Sequence, residues 1–319
     1  MITRREMLQW GAAAVSSIYG QQTSAQTQPQ KAKRILFVHG RGQQGLDPAK
    51  LQADWMAALT RGATTLHRRI PEVSVAFPFY GDQLGDFEKA SSIPLTSEVH
   101  ARGEVDDRFL AFQAEFAEAL RQKAGVTDGQ VDAEYGSDPE QRGPLNWKWV
   151  QAILRALDKH GGGMNQKTLE LFTRDVYLYC TLAGVRDAIN HTVAALFTEE
   201  PTVVVAHSLG TVVAYSVLTT DPRKLNVPLL ITVGCPLGVR TVRDQFRPLH
   251  SPDPVLKWYN AFDPRDVVAL YPLDANNFPV TPSIENYDKV KNHTDNRHGI
   301  DGYLDDAQVA TRILDTLTT

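Results

Sequence analysis

The stretch PTVVVAHSLGTVVAY, residues 201–215, sets a serine at the joint between a run of β-branched residues and a run that suits a helix. Val203, Val204 and Val205 favour a strand buried on both faces, because β-branched side chains fit a pleated, packed surface. Serine competes for backbone hydrogen bonds and is poor in the interior of either element. The small residues two before and two after, Ala206 and Gly210, let strand and helix approach each other. The spacing therefore predicts a tight strand-turn-helix that lifts the Ser208 hydroxyl off the carboxyl end of a strand. In a parallel α/β sheet that end is where ligands bind. A plain helix N-cap is the alternative role for Ser208.

Strand and helix alternate outward from this joint. Residues 34–38 (RILFV) form a short apolar run ending at His39-Gly40, as a buried strand does, and 73–77 read as a second strand that breaks at Pro78. Between them, Leu51, Trp55, Ala58 and Leu59 share one face of a helix over 48–59. Further on, 202–206, 227–233 and 255–262 read as strands, and 209–219 and 306–317 as helices. Apolar strands alternating with helices describe an α/β fold, a mostly parallel sheet flanked by helices. Residues 80–146 differ: charged, rich in Gly and Asp, with a helix over 108–123 and a loop over 127–144 (TDGQVDAEYGSDPEQRGP). Helical periodicity returns at 147–159 and 169–196. The expected organisation is one domain over 34–319 with a helical insertion at about 82–165, either a cap over a site or surface elaboration.

Composition narrows the function. A chain of 319 residues fits a single α/β domain, and 42% apolar with 22% charged residues suits an ordinary globular protein. The net charge of −4 argues against broad binding of nucleic acid or anionic membranes. No apolar run is long enough to span a bilayer as a helix. At the N-terminus, Arg4-Arg5, the mildly apolar WGAAAVSSIYG and the small residues Thr23-Ser24-Ala25 occur in the order of a twin-arginine export signal over 1–25, with a linker over 26–33. That order predicts a periplasmic or secreted protein; a frayed terminus with two neighbouring arginines is the plainer reading. Two cysteines, Cys180 and Cys235, imply no disulfide framework. Buried free thiols are expected, a single bond in an oxidising compartment being the alternative.

A nucleophilic serine needs a base, a group that orients the base, and donors for an oxyanion. The amide of Leu209, next after Ser208, is one donor, and the glycine-rich FVHGRGQQG (37–45) offers a second at Arg41. His39 lies on that oxyanion side as a structural hydrogen-bonder. With Tyr80, which follows the carboxyl end of the second strand, it is the expected lining of a substrate pocket. The acid should follow a late strand and the histidine should follow the acid. LKWYNAFDPRDVVALYP offers Asp263, followed by a turn-shaping proline, and Asp266, followed by apolar Val267-Val268. KNHTDNRHGIDGYLDD offers His293 and His298, of which His298 stands closer to the last helix and precedes the apolar Ile300 and Tyr303-Leu304. His207 alternates away from Ser208 and is a poor base. A metal site at His293, Asp295 and His298 is a competing reading, although the spacing matches no strong ligand motif.

AHSLG, VHGRG, Asp266 and His298 together resemble the α/β-hydrolase superfamily of serine hydrolases. NAFDPRDVVALYPLD is also similar to the acid-bearing stretch of DDHD-type phospholipases, which favours Asp266 over Asp263. Ala206 stands where the commoner pattern has glycine, and Val267 where it has proline. The resemblance implies acyl transfer to water from a small-molecule or lipid ester, through an acyl-enzyme on Ser208, with neither cofactor nor metal. Amide or thioester hydrolysis, and a non-catalytic binding module of the same fold, are the alternatives.

Overall fold

The computed structural model describes residues 31–101, 103–137, 142–161 and 163–318; the expected signal over 1–25 lies outside them. In chain order the elements are β1 (Arg34–Val38), α1 (Pro48–Thr65), β2 (Ser74–Ala76), α2 (Gly81–Ser91), α3 (Asp107–Lys123), α4 (Asp128–Tyr135), α5 (Trp147–His160), α6 (Gln166–Thr181) and α7 (Ala183–Ala194). They continue with β3 (Thr202–His207), α8 (Leu209–Thr220), β4 (Leu229–Val233), α9 (Arg240–Arg243), β5 (Trp258–Ala261), β6 (Glu285–Tyr287), α10 (Asp301–Leu304) and α11 (Ala307–Thr318). The strands form one six-stranded, all-parallel sheet in the order β2-β1-β3-β4-β5-β6. The chain is thus an α/β protein, as the alternating pattern predicts.

Strand residues alternate between the two faces of a sheet, and the core divides accordingly. Ile35, Phe37, Val203, Val205 and Ile231 pack beneath α1 and α11. Leu36, Val38, Val204, Ala206 and Leu230 face α8 and the long helical section. Because both faces are covered, β1, β3 and β4 are buried along nearly their whole length and mostly apolar. Helix α8, buried on all sides from Leu209 to Leu218, lies between the sheet and the helices beyond it.

Three expectations need correction. The segment over 127–144 is not wholly loop, since it contains α4. Thr127 and Gln130 form a reciprocal capping box, and Val131 and Tyr135, one turn apart, are buried against the neighbouring helices. The helix expected over 169–196 is two, separated at Leu182, whose backbone is extended. Arg186 folds back onto the Tyr179 and Cys180 carbonyls and satisfies the end of α6. The helical section between β2 and β3 runs from α2 to α7, well past 82–165.

The sheet order has a consequence for function. From β1 the chain passes to β2 on one side, and β3 lies on the other, so the topology switches between β1 and β3. The loops leaving those two strands diverge to opposite sides there and open a crevice at the strands' carboxyl ends. His39-Gly40-Arg41 follows β1, and Ser208 follows β3. Cys180 and Cys235 are both buried as free thiols, and burial pushes each up to about 12. Among the described residues no helix is long and apolar enough to cross a membrane.

Candidate active site

Ser208 occupies the sharp joint between β3 and α8 with φ 57° and ψ −130°, a conformation L-residues rarely adopt. Such backbone costs on the order of 1–3 kcal/mol and persists only when the surroundings enforce it. Here they do. The Ser208 amide donates to the Val233 carbonyl on β4 at 3.0 Å, and Gly210 packs straight onto the end of β1. A Cβ on Gly210 would overlap the carbonyl oxygens of Val38 and His39 and stand 2.8 Å from the His39 carbonyl carbon. Gly210→Ala is therefore expected to lower stability by about 1–3 kcal/mol through overpacking, read from the midpoint of urea unfolding. The conformation is not that of a serine N-cap: the Ser208 side chain makes no capping bond to α8.

The hydroxyl is directed elsewhere. Ser208 Oγ lies 2.8 Å from His298 Nε2, and His298 Nδ1 lies 2.7 Å from Asp266 Oδ2. All three residues are buried, Asp266 completely. Asp266 Oδ1 accepts from the Val268 amide at 3.0 Å, and Oδ2 accepts a second bond, from Tyr303 Oη, at 2.5 Å. A carboxylate that accepts from Nδ1–H fixes the imidazole as the tautomer whose Nε2 takes a proton from Ser208. The structure thus brings together the serine, acid and histidine expected from the sequence, Ser208, Asp266 and His298.

The competing residues do other work. Asp263, also buried, accepts from the Arg265 and Asn292 amides at 2.8 and 2.9 Å and so ties the loop after β5 to the loop after β6. His293 is exposed and pairs with Asp305 at 2.8 Å. Among the described residues no group of three His, Cys, Asp or Glu stands where it could hold a metal ion. His207 lines the same cavity as Ser208, and its Nε2–H donates to the His298 carbonyl at 2.7 Å. Burial holds its ring well below the ordinary histidine range, and the nearby His298 adds to the effect.

Two expected pocket residues prove to be structural. His39 Nε2 accepts from the Tyr80 amide at 3.1 Å, so its proton sits on Nδ1, which donates to the Gly40 carbonyl at 2.7 Å. Tyr80 stacks on the His39 ring with centroids 4.0 Å apart and donates its hydroxyl to the His39 carbonyl. Burial pushes His39 down to about 4, so it is neutral at physiological pH. Both side chains support the loop after β1 from behind, and neither lines the cavity beside Ser208.

That cavity has a volume of about 340 Å³. Ser208 and His298 form its floor, Gly40 and Arg41 one rim, and Leu51, Trp55, Met164, Phe172 and Ile300 much of its wall. Met164 and Phe172 come from the helical section, which thus covers part of the site, and Phe172 meets the His298 ring edge-on at 6.2 Å. The amides of Leu209 and Arg41 donate to no other described residue, and Gly40 packs so closely on Ser208 that an added Cβ would stand 2.8 Å from the Ser208 Cβ. Leu209 opens α8, where the helix dipole favours negative charge, and Arg41 lines the same cavity as Ser208.

No family model, curated protein or solved structure matches the chain.

Sequence reasoning missed Tyr303, which it placed only as part of an apolar docking segment. Its hydroxyl is the second donor on Asp266, and burial beside that carboxylate holds the phenol well above its ordinary range. Tyr303→Phe removes a hydrogen bond to a charged acceptor and is expected to cost about 1.5–3 kcal/mol of stability, measurable by urea unfolding at neutral pH. No local pattern marks it, because its partner Asp266 lies 37 residues earlier in the chain.

Proposed function

We propose that this protein is a serine hydrolase of the α/β-hydrolase type, cleaving a carboxylic ester through an acyl-enzyme. The observation that carries the reading is the continuous line from a backbone-strained Ser208 through His298 to a buried Asp266, with spacings of 2.8 and 2.7 Å. Ser208 Oγ attacks the acyl carbonyl while His298 Nε2 takes its proton. The amides of Leu209 and Arg41 receive the charge that develops on the carbonyl oxygen. His298 then returns the proton to the leaving alcohol, and a water molecule, activated the same way, releases the acid. Asp266 stabilises the imidazolium formed in both halves without taking the proton itself.

The largely apolar wall formed by Leu51, Trp55, Met164, Phe172 and Ile300 suits the hydrocarbon part of an ester, and the similarity of the Asp266 stretch to phospholipases points the same way. The twin-arginine-type segment supports export of the folded protein to the periplasm or beyond. Hydrolysis of p-nitrophenyl acetate, butyrate, octanoate and palmitate by the purified protein tests the reading. Turnover of the shorter esters, absent in Ser208→Ala, is the expected result; equal rates for both proteins on every ester would contradict it.

A further inference from the structure

Asp175, on α6, is a buried carboxylate that the triad does not use. Its Oδ2 accepts from Nε of Arg41, the residue whose amide is proposed above as an oxyanion donor. Its Oδ1 is buried without a hydrogen-bond partner among the described residues. Glu88, on α2, mirrors this state: Oε2 accepts from Arg174 Nη2 at 2.8 Å, while Oε1 is buried and unpartnered. Glu88 is a neighbouring carboxyl, held by Arg174, the residue before Asp175 on α6. Two neighbouring carboxyls, each with one orphan oxygen, satisfy both orphans by sharing one proton, and a buried polar atom left unpaired is costly.

The rest of the loop after β1 is fixed by other means. Gly40 packs on Ser208. Gly45 donates its amide to Asp82 Oδ1 at 2.7 Å, and Gln43 packs against Gly81 at the start of α2. Between them Arg41 has the Gln43 side chain on its carbonyl, at 3.0 Å, and Asp175 on its guanidinium. We propose that Asp175 is a positioning residue for this site: it holds the Arg41 side chain, thereby aims the Arg41 amide at the point faced by the Leu209 amide, and slackens when it takes the proton shared with Glu88. The catalytic consequence rests on the hydrolase reading of Ser208; the tether itself does not.

The charged groups acting on Asp175 are Arg41 from the loop and Glu88 from α2, and Glu88 is itself paired with Arg174 of α6. Burial, with Glu88 as a second negative neighbour, pushes its carboxyl up to about 7 against the opposing pull of Arg41. Above that pH Asp175 is charged and grips the guanidinium. As pH falls through it, a charge-assisted bond becomes a neutral one, roughly half as strong.

The test compares wild type with Asp175→Asn, a near-isosteric change that removes the charge at every pH. Two quantities are measured: hydrogen exchange of the amides over 40–43, and the pH profile of kcat. The expected result is faster exchange over 40–43 in the variant at pH 8, and a kcat lower by about ten-fold, short of the 10²–10³ for a donor lost outright, with KM little changed. The acid limb should also simplify from two protonations to one. In Glu88→Gln, which removes the neighbour that raises Asp175, the second protonation should move to lower pH. Unchanged exchange over 40–43 in Asp175→Asn overturns the tether whether or not Ser208 reacts. Changed exchange with unchanged kcat and two protonations retained overturns its catalytic role. Failure of Ser208 to react in wild type sinks the hydrolase reading instead, while the exchange comparison still decides the tether.

Discussion

Ser208→Ala is expected to lower kcat for ester hydrolysis by on the order of 10⁶-fold, leaving only what binding and the oxyanion donors supply. His298→Ala should cost about as much, and the double variant little more than either alone. The reason is geometric. Ser208 Oγ and His298 Nε2 are 2.8 Å apart and, in the proposed mechanism, share one proton transfer, so removing either partner disables the same step. Independent contributions would multiply instead, and the kcat values of the two single variants and the double variant distinguish the cases.

Asp266→Asn is expected to lower kcat by about 10⁴-fold without unfolding the protein. In the native site Oδ1 must accept from the Val268 amide, while Oδ2 accepts from His298 Nδ1–H and from the Tyr303 hydroxyl. An asparagine there keeps its oxygen toward Val268, because an NH₂ group cannot accept from an amide. Its NH₂ then faces His298 and donates to Nδ1. The imidazole must move its proton to Nε2, where it can no longer accept from Ser208. A fall in kcat of about 10⁴-fold with a urea midpoint lowered no further than in Tyr303→Phe would support this; a protein unfolded by the change would place Asp266 among structural residues only.

Much of this site is legible in the sequence because its parts lie at element ends, where residue type is most constrained. A β-branched run, small residues on either side of Ser208 and a glycine-rich segment after β1 mark the two loops of the switch point. Choosing between Asp263 and Asp266 was harder from spacing, since both are buried on one tight turn in which the Asp266 amide donates to the Asp263 carbonyl. Only the arrangement of the neighbouring loops shows that one faces His298 and the other Asn292. Strand β6 was illegible: three residues, ENY, at the sheet edge carry no apolar period. Helix α4 was hidden because Gly, Asp and Pro around it outweighed a four-residue capping signal. The roles of Tyr303, His207 and Asp175 depend on partners 37, 91 and 134 residues away, which no local pattern encodes.

In the proposed function Ser208 is an activated nucleophile. Its most direct test is incubation of the folded protein with a fluorophosphonate probe, followed by peptide mass spectrometry to find the modified residue. One adduct is expected, on Ser208, absent in Ser208→Ala and strongly slowed in His298→Ala. A well-folded protein that stays unlabelled, or is labelled only at another residue, would contradict it.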